Sequence, residues 1–435
     1  MKMNLVIIVG CLIATGCHAQ PANGPQDIAT SSLQVRLPAR AQPFFEPLVA
    51  SQQPGFKFRG IKGWAWTPEQ YLEEIPWLAK FKMNFLMNCY LSLFTSTPSR
   101  NNEWWKPLPE AKKAAYAKVI RSCQAEGISF CFCMNPQLAS QRPLNPTNTE
   151  DIDLLFRQYA WAQSQGVKWF SICVDDVEWT QAPSVIAAED ARMVDSVLAR
   201  LRAKDPEAQM IFCPGRYYGD GTKPADHTYL QTLARDLDPE VYVFWTGDAA
   251  VTPRITLAAA ESYKTAVGHR LFLWDNYPVN DNQPTLNLGP VSGRAPGLCK
   301  IIDGYMSNPM KPQNQINLIP LATCADYAYN PPGYDPARSI GQAIFLFGET
   351  SAQREVLEEL VEAYPGFIAA GGGTGANPVR EKFKKLAAEP DSRAAWIFQH
   401  QIESLSARFQ KEFPRRFRAA KKTVAADAVW MKAQP

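Results

Sequence analysis

The chain has 435 residues, 46% of them hydrophobic and 20% charged, so most of it can bury a core and extended disorder is excluded. Its 45 basic and 42 acidic side chains leave a net charge of +3, too weak a field to recruit nucleic acid or acidic lipid by itself. Partner choice therefore rests on local sites, and the 12 Trp, 15 Tyr and 22 Phe, many beside Asp and Asn, suit stacking on sugar rings as well as plain core packing.

The first residues, MKMNLVIIVGCLIATGC, place Lys2 before a short apolar run that ends in small residues. This pattern predicts an export signal over residues 1–19 rather than a membrane-spanning helix. Ala14-Thr15-Gly16-Cys17 resembles a bacterial lipoprotein box, in which Cys17 becomes the lipidated first residue and attaches the mature protein to a membrane. Cys17-His18-Ala19 is the competing ordinary cleavage site. The expected location is the periplasm or, as a lipoprotein, the outer membrane of a bacterium. Residues 20–54, rich in Pro, Gln, Ser and Ala without periodicity, read as a linker or arm.

From there apolar strand-like runs recur: FKFRGI (56–61), MNFLMNCY (83–90), ISFCFCM (128–134), KWFSICV (168–174), QMIFCP (209–214), VYVFW (241–245), RLFLW (270–274) and IIDGYM (301–306). Amphipathic helical segments lie between several of them, two of which stop at Gly127 and Gly166. Helix and strand in alternation mean a parallel sheet, and eight runs match the α/β class as a (β/α)8 TIM barrel over residues 55–336. A doubly wound open sheet is the alternative topology. Cys131, Cys133, Cys173 and Cys213 sit inside these runs, where Cys packs as a small hydrophobe. No CxxC or Cys/His pattern points to a metal, and His18, His227, His269 and His400 are scattered, so neither metal nor cofactor is expected.

After Asp335-Pro336 the sequence turns to helix formers, predicting a helical C-terminal domain over 337–435. The Gly-rich stretch AAGGGTGANP (369–378) follows a helix and lacks a Walker lysine, so it reads as a helix connection. The basic run from Arg415 to Lys422 reads as a solvated helix face.

In such a barrel, catalytic groups sit where strands end at the C-terminal face. Strand four ends in Asp175-Asp176, strand five in Gly215-Arg216-Tyr217, strand six in Trp245-Thr246-Gly247-Asp248, strand seven in WDNYPVND (274–281) and strand eight in Ser307-Asn308-Pro309-Met310. Two adjacent carboxylates repel, and partial burial also disfavours charge, so one of the pair should hold a proton for a leaving group. Neighbours on one strand end are poorly placed to straddle a sugar ring, as a conventional retaining pair about 5 Å apart must. A substrate that carries its own nucleophile, the oxygen of a 2-acetamido group, removes that requirement.

These pieces together resemble glycoside hydrolase family 84, the β-N-acetylglucosaminidases. The resemblance covers residues 56–336 and is carried by Arg59-Gly60 with Gly63, VDDVEW, FCPGRY, WTG, WDNYPVND, LGPVSGR and SNPM. It implies that Asp175 polarises the acetamido group and that Asp176 is the general acid/base. It also implies that Tyr217 bonds near the acetamido group, Trp274 walls its pocket and Asn276 lies beside the reacting centre. Asp281 and Asn308 would hold outer hydroxyls, and the Gly63 backbone would line the site. The implied substrate is a glycan or glycoconjugate carrying N-acetylhexosamine, cleaved with retention through an oxazoline. The chain departs from the family in reading GWAW after strand one and MNCYLSLFTS after strand two, where the sugar-binding lysine has no counterpart. Two other readings remain open: a glycan-binding protein without turnover, and a glycosidase whose nucleophile is Asp275 or Asp281.

Overall fold

The computed structural model describes residues 44–45, 48–94, 102–281, 283–311, 314–370, 373, 375–391 and 393–434. The expected export signal, Cys17 and most of the 20–54 linker lie outside the described residues. Among those described, no helix is long and apolar enough to cross a membrane.

Eight parallel strands close into a barrel in chain order: β1 (Phe58–Ile61), β2 (Phe85–Met87), β3 (Ser129–Met134), β4 (Trp169–Cys173), β5 (Gln209–Cys213), β6 (Tyr242–Trp245), β7 (Arg270–Pro278) and β8 (Ile302–Asn308). The closing pair, β1 with β8, sets Gly60 opposite Met306 and Ile61 opposite Ser307. Every strand anticipated from apolar runs is present, and the open-sheet alternative is excluded by that closure.

Helices α1 (Pro68–Lys80), α2 (Glu110–Ala125), α3 (Thr149–Ser164), α4 (Pro183–Arg202), α5 (Pro224–Asp236) and α6 (Leu257–Val267) link successive strands as far as β7. Gly127 and Gly166 follow α2 and α3 with φ of +67° and +85°, the left-handed conformation that ends a helix at little cost only in glycine. The α/β alternation fails between β7 and β8, which are joined by a long connection with one short 3-10 turn at Leu298–Lys300. That connection contains the end of WDNYPVND and all of LGPVSGR.

The barrel interior is filled in layers by inward-facing side chains. Phe58, Phe85, Trp169, Tyr242 and Phe272 form an aromatic layer, Phe58 stacking on Phe272 at 5.9 Å between centroids. Toward the C-terminal ends of the strands the buried thiols of Cys131, Cys133, Cys173 and Cys213 lie with Trp274 and Tyr217. The described cysteines are all free, as expected of packing residues.

Seven further helices follow: α7 (Asn314–Tyr329), α8 (Pro336–Phe347), α9 (Ser351–Ala363), α10 (Phe367–Ala370), α11 (Pro378–Ala387), α12 (Arg393–Glu412) and α13 (Arg418–Lys432). They brace the strand-seven loop: Leu288 N–H donates to the Tyr364 carbonyl at 2.9 Å, and the Tyr277 ring packs on Phe367. Asp427 of α13, fully buried, accepts from Tyr364, Asn377 and Arg380, which ties the last helix to the Gly-rich connection. The basic run is not wholly a solvated face. Lys421 is buried and donates to the Phe413 and Pro414 carbonyls at 2.6 and 3.1 Å, because its position on α13 faces the end of α12.

Candidate active site

Side chains two residues apart share a face of an extended chain, so Asp175 continues the inward row of Cys173 past the end of β4. It is 6% exposed. The Tyr90 hydroxyl donates to its Oδ2 at 2.6 Å, and Asn135 Nδ2 donates to its Oδ1 at 2.9 Å. Burial pushes the Asp175 carboxyl up to about 7, with Cys173 and Asp176 adding to the rise and Lys62 and the Tyr90 hydrogen bond opposing it.

Asp176 has a left-handed backbone with φ of 59°, a conformation Asp tolerates better than most residues. Its side chain is exposed, and Oδ1 accepts from the Tyr217 hydroxyl at 2.8 Å. The raised carboxyl is Asp175, chiefly through burial with repulsion from Asp176 a smaller contribution, so the rise falls on the residue that the resemblance assigns to the acetamido group and not on the one it assigns to proton donation. The Tyr217 hydroxyl, itself pushed up by burial and by the charge of Asp176, is engaged with Asp176.

At the end of β7 the Trp274 Nε1–H donates to Asn276 Oδ1 at 3.0 Å, Asn308 Nδ2 donates to the same oxygen at 2.9 Å, and Asn276 Nδ2 donates to the Ala250 carbonyl at 2.7 Å. Trp274, Asn276 and Asn308 are thereby fixed as one unit. Gly63, just past β1, has φ of +76°, and a Cβ there would lie 2.5 Å from the Trp66 ring, so both conformation and space require glycine. Asp281 stands exposed on the loop beyond β7 with φ of 47°.

Three residues of the site were not among those expected: Lys62, Tyr90 and Asn135. Each lies just past a strand, after β1, β2 and β3, so the strand-end rule applied to β4 through β8 finds them when extended to the first three strands. Lys62 links the two halves of the site. Its ammonium lies 3.7 Å from the centroid of the Trp274 ring and 4.6 Å from that of Tyr90.

Asp275 does not face the mouth. Alternation along β7 turns it outward, where it is 1% exposed and bonds Arg294 through Nη2 at 2.6 Å and Nε at 2.9 Å. The Tyr305 hydroxyl donates to it at 2.9 Å. A carboxylate locked in a buried bidentate ion pair is unavailable for attack, which overturns Asp275 as a protein nucleophile.

Cys173, Asp175 and Cys213 bring ligand atoms within 4.8 Å of one another, the one such group among the described residues. The chemistry opposes a cation there. Asp175 is already engaged by two donors, and the Lys62 charge lies close enough to oppose the rise of its carboxyl.

A family model described as beta-N-acetylglucosaminidase matches residues 59–362. The proteins named Protein O-GlcNAcase of Rattus norvegicus and of Mus musculus are each 24% identical over 260 residues, 58% of this chain and 27% of theirs. The match thus spans about a quarter of the length of those relatives. A mutant of the O-GlcNAc hydrolase of Thermobaculum terrenum superimposes with a TM-score of 0.69 at 23% identity, covering 87% of this chain and 83% of that one, a likeness of fold.

Proposed function

Because the chain belongs to the beta-N-acetylglucosaminidase family, we propose that it hydrolyses glycosides of N-acetylhexosamine, N-acetylglucosamine foremost, with the substrate's acetamido oxygen as nucleophile. The observation that carries this reading is the unequal pair at the end of β4: one carboxyl buried and poised near neutrality, its neighbour exposed beside a tyrosine hydroxyl. The outward turn of Asp275 removes one protein nucleophile and favours the substrate's own.

In the first step the acetamido oxygen forms a bond to the anomeric carbon as the bond to the leaving oxygen breaks. Asp176 gives its proton to that oxygen, while Asp175 accepts the acetamido N–H, whose acidity grows as the oxazoline forms. Water then attacks the anomeric carbon, Asp176 takes a proton from it, and the acetamido group is restored with its N–H. A carboxyl near 7 can accept a hydrogen bond or a proton from a group whose charge changes during the reaction. Tyr90 and Asn135 hold it in place, a positioning that cannot drift without breaking both bonds. Trp274, fixed by Asn276, walls the pocket, and Asn308 offers a free acceptor to a hydroxyl.

Aryl glycosides with and without the 2-acetamido group test the proposal. Turnover confined to the acetamido series, lost in Asp176→Asn, is expected. Equal turnover of both series would refute the substrate nucleophile, and sugar binding without turnover would make the protein a glycan-binding one. Export with lipidation of Cys17 belongs to the same proposal, and labelling with a fatty-acid analogue that is abolished by Cys17→Ala tests it.

A further inference from the structure

We propose that Lys62 is a sugar-contacting, specificity-determining residue, its ammonium forming with Asn308 Oδ1 a subsite for one neutral hydroxyl of the bound sugar. The inference rests on the glycosidase reading above and deepens it.

Lys62 is fully buried, and its Nζ has no hydrogen-bond partner. Rings of Trp274, Tyr90 and Trp64 surround the ammonium at 3.7, 4.6 and 5.1 Å. Their faces attract the charge but accept none of its three N–H groups, so a buried cation keeps its donor capacity unspent. Asn308 Oδ1 is the converse, a buried acceptor with no donor.

Barrel closure brings the two side by side. Ile61 is the register partner of Ser307, and the Lys62 N–H donates to the Ser307 carbonyl at 3.0 Å, so Lys62 and Asn308 leave adjacent strands at the same level. The Asn308 amide also reaches Asn276, which holds the Trp274 ring over the ammonium. Asn308 Oδ1 is thus fixed on the same unit as the ring that covers the ammonium.

An unspent donor and an unspent acceptor on adjacent strand ends select the ligand chemistry. A hydroxyl both accepts and donates, and satisfies both atoms at once. A phosphate or carboxylate oxygen would meet the ammonium but leave Asn308 Oδ1 facing another acceptor, so an anionic substituent is disfavoured. Because Lys62 is enclosed, a sugar reaches it only by displacing part of the cage. Trp64, the partly exposed ring, whose own Nε1 lacks a partner, is the wall with room to move.

The test compares Lys62→Met, which keeps the length of the side chain and removes the charge, and Lys62→Arg with the wild-type chain. Each is assayed on aryl 2-acetamido-2-deoxyglucosides with all hydroxyls present and on the 3-, 4- and 6-deoxy analogues. The readout is the ratio of kcat/KM for parent over deoxy substrate within one protein sample, which does not depend on how much of the variant folds. Wild type should prefer the parent over one deoxy analogue by about tenfold or more, and Lys62→Met should lose that preference at the same position while keeping the others. Equal loss on every substrate, or an unchanged ratio at every position, overturns the proposal. If wild type turns over none of the glycosides, the glycosidase reading fails by itself. The same cycle is then read from dissociation constants of N-acetylglucosamine and its deoxy analogues, where absence of coupling to Lys62 again overturns the subsite.

Discussion

The ends of β4 and β7 both carry a buried aspartate, yet the two have opposite fates. Asp175 points inward, has two neutral donors and no ion pair, and its carboxyl rises to about 7. Asp275 points outward, and burial is compensated by the Arg294 guanidinium and a tyrosine hydroxyl. Burial alone therefore does not make a functional acid. An uncompensated carboxylate is left reactive, and a paired one becomes part of the scaffold.

The sharpest way to separate the two ends is to neutralise each. Removing the proton donor in Asp176→Asn should lower kcat by about 10²–10⁴-fold with unfolding midpoints unchanged, measured by steady-state kinetics and denaturant titration. Neutralising Asp275 should do the reverse. Asp275→Asn strands the Arg294 charge, buried to 1% side-chain exposure, and should cost ~3–5 kcal/mol of unfolding free energy, while kcat of the folded fraction stays near wild type. A large loss of kcat in a fully folded Asp275→Asn protein would contradict the scaffold role.

Smaller changes test how Asp175 is tuned. Its carboxylate form is the one that accepts the acetamido N–H, so kcat/KM should rise with pH through about 7. Tyr90→Phe removes a hydrogen bond that favours the carboxylate and should move that rise to higher pH, with kcat/KM down about tenfold at pH 7. A pH profile left in place would show that Tyr90 does not act through Asp175.

The smallest effect expected is on stability. A folded-state value of about 7 lies above the ordinary carboxylate value near 3.8, so the protonated group favours folding most at low pH, and this contribution is lost as pH rises through about 7. Asp175→Asn should therefore melt at a higher temperature than wild type at pH 8.5, the difference shrinking toward pH 4. Thermal scans across that range check the sign.

Much of this protein was legible in the residues alone. Each strand announced itself as an apolar run because a strand of a closed parallel barrel is buried on both faces, and Gly127 and Gly166 marked helix ends because left-handed backbone suits glycine. Asp175, Asp176, Trp274, Asn276 and Asn308 were placed at the mouth by the rule that strand ends carry chemistry. What chain order could not express was direction and partnership. Whether Asp275 faced the sugar or Arg294 depended on the pleat and on a residue nineteen positions away. Which acid of the pair rose depended on how deeply the fold buried Asp175, and how it is held depended on Tyr90 and Asn135 arriving from other strands. Lys62 gained its meaning only when barrel closure set β1 against β8, because a buried charge is defined by what surrounds it in space, and that is decided by the fold.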